Sequence, residues 1–419
     1  MNRIILIGNG FDLAHDLPTR YENFIEWYWR DWGHRLANSN NLEEEDILCS
    51  FRLHRSVCSS GWRNVPTYYW KENVSESEFI DRVKKDKHLC DFHVKSIFFQ
   101  EIIKKIEAKG WVDIEQEYYR LLNIVYIDQP KHINDELCHI KSKLIEYLKK
   151  VQETSTIKIK PEIRSQILGP LHKKEIAIES QQAWYDMIEE RLDYLDDDWN
   201  ELLESYNIDN LNPQYSVDLI NRVKHNIIAD KENRGIKQID SEDYHHAFFF
   251  PDRIMILDFN YTNTAGLYLP HANRFSINHI HGNFSEPSNI IFGYGDELDD
   301  EFKNLMKKNV NEYLRYIKSF RYLETLNYRR MLSFIESAPY QLCIMGHSCG
   351  TSDRTLLSTL FEHKNCVSIK PYYYCKDDGT DNYIDLIQNI SRSFSNPRIM
   401  RDRVVSKGFC EELGRKNKK

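Results

Sequence analysis

Near its start the chain carries the run Arg3-Ile4-Ile5-Leu6-Ile7, apolar from Ile4 onward and stopped by Gly8-Asn9-Gly10. A strand with one solvated face alternates polar and apolar residues. An unbroken run of isoleucine and leucine instead reads as a strand covered on both faces, the habit of parallel sheets between helices. Residues 12–29 then set Leu13, Leu17, Tyr21, Phe24, Ile25 and Tyr28 near helical spacing. Strand, glycine turn and helix together aim backbone N–H groups and a helix N-terminus at a phosphate. Glycine allows that approach because it has no Cβ to hold a ligand away. The full dinucleotide fingerprint has a third glycine three residues after the second, where this chain has Leu13. A phosphate-binding turn and an ordinary tight β–α turn both fit the stretch.

The same alternation returns late in the chain. Strands are expected at 254–259, 276–280, 289–292, 341–345 and 367–374, with an edge strand at 398–405. Helices are expected at 301–336, 356–363 and 383–394. Strands alternating with helices indicate an α/β fold with a parallel sheet. The expected organisation is a Rossmann-like parallel sheet flanked by helices, built from residues 1–32 and 247–419 as a nucleotide-binding domain. A large, mostly helical insertion then occupies 33–246. Within it, 33–78 reads as irregular, with scattered Trp62, Tyr69 and Trp70, and 79–109 as a helix ended by Gly110. Asp113 reads as a helix N-cap and Glu115 as a first-turn acid. Residues 131–222 read as strongly helical, with amphipathic patterns at 133–151 and 176–206. Asp196-Asp197-Asp198 reads as a solvated face, 223–244 as polar and ending in a loop, and His245-His246 as surface residues.

Composition narrows the function classes. Among 419 residues, 56 basic and 64 acidic side chains give a net charge of −8, against nucleic acid as the main partner. The nine cysteines include no Cys-x-x-Cys pair, so neither a structural zinc site nor a disulfide framework is expected. No run reaches membrane-spanning length; the most apolar, 247–259, carries Asp252, Arg253 and Asp258. No signal peptide is read at the start. The expectation is a cytoplasmic protein with no membrane partner.

The chemistry-bearing residues follow the carboxyl ends of separate strands: Gly8, Asn9, Gly10, Phe11 and Asp12; Asn260 and Thr262; His281 and Gly282; and Gly346 through Asp353. In an open parallel sheet the ligand crevice lies at those ends. Asn260 offers an amide that both donates and accepts, and His281 a base near neutral pH. His279 and His281 alternate by two, so an extended strand would place them on one face; with no third ligand nearby, no metal is expected. Gly346-His347-Ser348-Cys349-Gly350 also fits Gly-x-Ser-x-Gly, a nucleophile elbow between strand and helix. Only His363 lies downstream of Ser348.

These stretches resemble the AbiH family of bacterial phage abortive-infection proteins. The similarity rests on Ile5-Leu-Ile-Gly-Asn-Gly-Phe-Asp-Leu-Ala-His15, Leu17-Pro-Thr19, Trp111-Val-Asp-Ile-Glu115, Phe259-Asn-Tyr-Thr-Asn-Thr264, His279-Ile-His-Gly282, Ile291-Phe-Gly293, Gly346-His-Ser348 and Ser352-Asp353. More distantly, the same anchors resemble sirtuin-like NAD-binding proteins, with Asn9 in place of a middle alanine, Thr262 in place of an Asp, and no zinc-binding cysteines. The resemblance implies a site for NAD as substrate. Gly8 and Gly10 would approach the pyrophosphate, and Asn260 would position the nicotinamide ribose or a water. His281 would take a proton from a ribose hydroxyl, and Asp12 and Asp353 would contact ribose. The loop with Gly346 and Ser348 would bind phosphate or ribose. The implied activity is cleavage of the nicotinamide glycosidic bond, with NAD depletion as the abortive event. The alternatives are a nucleotide sensor without turnover, and a serine hydrolase using Ser348. A phage-derived trigger and a homo-oligomer belong to the same expectation.

Overall fold

The computed structural model describes residues 1–38, 43–53, 90–109, 113–124, 130–193, 201, 205–206, 213–297, 299–376 and 378–414. The chain forms two compact units, one of Met1–Leu17, Thr156–Ile291 and Ser319–Lys419, the other of Pro18–Ser155 and Phe292–Lys318. Strands among the described residues are β1 (Asn2–Ile7), β2 (Glu43–Glu45), β3 (Cys49–Leu53), β4 (Cys90–Val94), β5 (Ile254–Asp258), β6 (Phe275–His279), β7 (Tyr340–Met345) and β8 (Cys366–Tyr372).

The first unit is α/β. Its sheet has the order β6-β5-β1-β7-β8, parallel at every pairing. Every residue of β1, β5, β7 and β8 is buried, in keeping with their mostly apolar sequences. Alternation divides the sheet between two cores. Ile4, Leu6, Met255, Leu257, Leu342 and Ile344 pack with Met331 and Phe334 of the helix Asn327–Ser337, Leu357 and Leu360 of Arg354–Phe361, and Ile390 of Tyr383–Arg392. Ile5, Ile7, Ile254, Ile256, Cys343 and Met345 pack with Phe11, with Ile163 and Ile167 of Pro161–Leu168, and with Trp184 and Ile188 of Gln181–Asp193. Helices thus cover both faces.

The second unit joins the antiparallel sheet β2-β3-β4 to the helices Tyr21–Asn38, Ile97–Lys109, Ile114–Asn123 and Pro130–Thr154. Trp29 and Trp32 fill its centre against Phe51, Phe92 and Phe99. Asp113 caps its helix by accepting from the Gln116 amide at 2.9 Å. Glu115 lies in the first turn as expected and is also buried, accepting from Lys318 Nζ (2.8 Å) and the Gly293 amide (2.9 Å).

Several elements differ from the sequence reading. The helix expected over 12–29 is two, Asn9–Leu13 and Tyr21–Asn38, because Asp16 takes φ +62° and Pro18 disfavours helix before it. Residues 33–38 finish a helix, and β2 and β3 within 43–53 pair antiparallel. Residues 289–292 make no strand, and 301–336 breaks into short helices at Asn309 (φ +52°) and beyond. The expected edge strand 398–405 is a helix, Pro397–Arg403, with proline at its start and the Asn396 side chain capping it; only Val404 bridges to Ile369. The helix Pro213–Arg234 runs from the stretch read as helical into the polar stretch 223–244. Trp62, Tyr69, Trp70, Gly110 and Asp196 through Asp198 lie outside the described residues. No helix among the described residues is long and apolar enough to cross a membrane.

Candidate functional site

In the sheet order β1 stands where the winding reverses: the chain runs outward through β5 and β6 on one side, then through β7 and β8 on the other. Open parallel sheets place their ligand crevice beyond the carboxyl ends at such a reversal. Residues 8–12, 260–262, 281–282 and 346–353 all follow those ends, in the same compact unit.

The glycines serve an interlock between two of these loops. The Gly10 amide donates to Gly346 O at 2.8 Å. A Cβ on Gly346, which has φ +76°, would stand 2.1 Å from the Phe11 nitrogen, and one on Gly8 would meet His347 Cα at 2.8 Å. The turn after β1 and the loop after β7 therefore touch backbone to backbone. The Phe11 amide is likewise engaged, donating to Gly8 O at 2.8 Å. Asn9 is exposed at this turn. Asn260 braces it from the other side, donating from Nδ2 to Gly8 O at 3.0 Å, while its own amide donates to Asp258 Oδ1 at 2.9 Å.

Strand parity then sorts the ionisable side chains into two groups. Asp258 and His279 are directly opposed across β5 and β6, Oδ2 to Nδ1 3.3 Å. Asp12 belongs with them: it is 2% exposed, accepts the Thr262 hydroxyl on Oδ2 at 2.7 Å, and has no hydrogen-bond partner on Oδ1. Burial pushes the Asp12 carboxyl up to about 7, with the Thr262 and Thr264 hydroxyls opposing and the neighbouring Asp258 charge adding to the rise. Burial raises Asp258 as well, against the opposing effect of His279.

The second group gathers on His281. Its Nε2 lies 3.1 Å from the Tyr322 hydroxyl and 3.3 Å from Asp353 Oδ1. The other Asp353 oxygen faces His347 Nε2 at 3.7 Å. The Phe259 ring lies against both imidazoles, with centroids 5.0 and 4.2 Å away. His279 and His281 do not share a face: β6 ends at His279, and the turn through Gly282 (φ +79°) swings His281 to the other group. Among the described residues no group of three or more His, Cys, Asp or Glu is arranged to hold a metal ion.

Ser348 is exposed, and its carbonyl accepts from Asn389 Nδ2 at 2.8 Å. His363 pairs with Glu336 at 3.1 Å beside the start of β7, where Tyr340 donates to Asn365 O. The length of β7, roughly 20 Å at about 3.3 Å per residue, separates the two ends, so Ser348 and His363 are not brought together. Cys349 is buried, which pushes its thiol well above the ordinary range and away from nucleophilic duty. The sequence marks neither Asp258, Phe259 nor Tyr322 as a site residue, and holds His347 only as one position of the 346–353 stretch. Asp258 was within reach, being the last residue of an apolar strand and two before Asn260; Tyr322 comes from a distant helical stretch with no such marker.

Fold and site together define an α/β protein with polar and ionisable side chains collected at the carboxyl edge of a parallel sheet. The chain belongs to the bacteriophage abortive infection AbiH family, whose model matches residues 4–374 of the 419. Neither the curated proteins nor the solved structures include a match to it. Membership places the protein among those that act in bacteriophage abortive infection.

Proposed function

We propose that the protein binds NAD at the carboxyl edge of its sheet and hydrolyses the nicotinamide glycosidic bond, so that infection ends in NAD loss. The observation that carries this reading is Asp12: a buried carboxyl in the turn after β1, held by the Thr262 hydroxyl on one oxygen and with its pKa raised to about 7, at the reversal of the sheet. The strand order, read along this sheet alone, is that of the first five strands of a Rossmann-like dinucleotide fold. A free carboxylate oxygen suits the hydroxyl donors of a ribose, and Asp12 supplies the acid that the sirtuin-like pattern has at position 262, joined to Thr262 by a hydrogen bond. The amides of Gly10 and Phe11 are already engaged, so phosphate contact falls to the exposed Asn9 and Ser348 side of the loops.

In the reaction, a water oxygen bonds to ribose C1′ as the C1′–N1 bond breaks. The bonding pair passes to the pyridinium nitrogen and nicotinamide leaves neutral. Asn260 orients the water through its carbonyl oxygen. A group with pKa near 7 is well matched to take the water's proton at neutral pH, and ionised Asp12 also stabilises the oxocarbenium-like state. His281 takes a proton from a ribose hydroxyl.

The test is cellular NAD after induced expression, with and without phage, for the wild type, Asn260→Ala and His281→Ala. A fall with the wild type alone is expected. Growth arrest by the wild type with NAD unchanged would instead identify a nucleotide sensor without turnover.

A further inference from the structure

One face of the sheet takes Ile254 and Ile256 from β5 and Phe275 and Ile277 from β6, all packed into an apolar core. At the next step of the alternation the pair is Asp258 and His279, opposed in register at the carboxyl ends of the two strands. Asp258 is fully buried, and its two oxygens differ in what they meet. Oδ1 accepts the Asn260 amide at 2.9 Å, and Oδ2 lies 3.3 Å from His279 Nδ1. Oδ2 and Nδ1 are both buried and have no other hydrogen-bond partner. At 3.3 Å they stand just beyond an ordinary hydrogen bond, facing each other.

The bland use of an aspartate here is an Asx turn, with one oxygen on the amide two residues on. Such a turn needs a single oxygen and is at ease in water. Asp258 is 0% exposed and has an imidazole at its second oxygen. Nor does β6 need the pair to stay in place, being in register with β5 from Phe275 to His279. A buried ion pair adds little net stability. What the pair does fix is Asn260. Asp258 Oδ1 holds its backbone, and its side chain donates from Nδ2 to Gly8 O at 3.0 Å. A carbonyl oxygen can only accept, so the amide nitrogen stays there and Asn260 Oδ1 points the other way. A bare buried carboxylate oxygen attracts a proton. A protonated carboxyl can then turn a hydroxyl, rather than an acceptor, to the Asn260 amide. A ring proton on His279 Nδ1, set against Oδ2, keeps both oxygens acceptors.

We propose that Asp258 is a positioning residue for Asn260 and that His279 serves it: the Nδ1 proton is turned to Asp258 Oδ2, so that Oδ1 stays on the Asn260 amide. His279 acts on Asn260 through Asp258 and needs no contact with a ligand. For its consequence in turnover the assignment rests on the glycosidic-cleavage reading, in which Asn260 orients the attacking water. Its geometry belongs to the free protein.

Two measurements on the full chain read that geometry without substrate. The first is the ring ¹⁵N shifts of protein labelled with ¹⁵N-histidine at neutral pH, assigned through bonds from the His279 backbone. The wild-type ring is expected to carry its proton on Nδ1. A bare Nδ1 would mean that Asp258 holds the proton, and overturns the proposal. The second is hydrogen exchange at the Asn260 amide. In His279→Ala it should speed up roughly 10-fold, while the ladder amides of β5 keep their wild-type rates. An unchanged Asn260 amide overturns the proposal. The wild-type spectrum decides even if a variant fails to fold.

Turnover of NAD then separates positioning from direct chemistry. Asparagine places a side-chain N–H near where Nδ1 stands but offers no base. His279→Ala should lower kcat roughly 10-fold with KM within about twofold, and His279→Asn should recover most of the loss. Equal losses in the two would make His279 a proton carrier in its own right and overturn the proposal. In an Asn260→Ala background, His279→Ala should lower turnover little further, since the residue it acts through is gone. A full second loss there overturns the proposal. No turnover by the wild type would sink the NAD reading alone, leaving the ring proton and the Asn260 amide to judge the positioning role.

Discussion

The same sheet buries charge in two different ways. On one face, around Arg3, every charged group is answered. Arg3 donates to the carbonyls of Ile167, Gly169 and Pro170 and to Gln341 Oε1. Gln341 donates to Glu175 Oε2 at 2.8 Å, and Lys370 donates to Glu175 Oε1 at 2.7 Å. At the carboxyl edge, Asp12 and Asp258 are as deeply buried, but each keeps an oxygen without a hydrogen bond. The first arrangement ties the segment before the helix Gln181–Asp193 to the strands. The second raises carboxyl pKa values and leaves acceptors open, which stabilises nothing in the free protein. A buried carboxyl with a raised pKa is costly to ionise, and two of them beside the sheet reversal make this edge the candidate working end.

Breaking the paired network should have the largest effect on stability. Lys370→Met strands the Glu175 carboxylate in the core, and the expected loss is about 3–5 kcal/mol in denaturant unfolding. Replacing Lys370 and Glu175 together by apolar residues should recover most of it. A single-variant loss below about 1 kcal/mol would erase the contrast between the two regions.

Asp12 should respond in the opposite sense. Its carboxyl ionises near 7 in the fold against 3.8 ordinarily. Between about pH 4 and 7 the unfolded chain has given up this proton and the folded chain still holds it. Stability therefore falls as pH rises through that window and levels off above it. Asp12→Asn cannot ionise and keeps an oxygen for Thr262. It should remove this slope and be more stable than the wild type at pH 8, on the order of 4 kcal/mol, while abolishing phage protection. A variant that is no more stable at pH 8 would mean that Asp12 is already charged and answered.

Asp12 also shows what could be seen in the sequence. Its place after a glycine turn made it a candidate, and β1, β5, β7 and β8 were legible because strands buried on both faces are mostly apolar, with polar residues such as Arg3, Gln341 and Lys370 admitted only where they are paired. What failed was any feature decided by a neighbour distant in the chain. The apolar stretch 289–292 joins no strand, whereas the polar Glu43–Glu45 does, through pairing with β3. Gly8 and Gly10 signalled close approach correctly, but what approaches is Gly346 and His347, some 340 positions on by their numbers. The separation of His279 from His281 depended on where β6 stops. That is fixed by the Gly282 turn, where a Cβ would lie 2.6 Å from Asn289 O. Tyr322 reached His281 from a region with no strand-end marker at all.

The smallest expected effect on stability is the sharpest probe of function. Asn260→Ala removes one donor from Gly8 O and leaves the backbone amide on Asp258 in place. A neutral hydrogen bond of this kind contributes about 1 kcal/mol, so the variant should fold with a small loss in denaturant midpoint. Its effect on NAD turnover should be out of proportion, at least about 100-fold, if the amide orients the attacking water. Asn260→Asp separates the two duties. It loses the donor to Gly8 O but keeps an acceptor for water, so it should share the stability loss and retain more turnover than alanine. If the two variants lose turnover equally and in step with their stability, Asn260 is a brace between β5 and β1. The working end of the sheet would then consist of Asp12 and the His281 group alone.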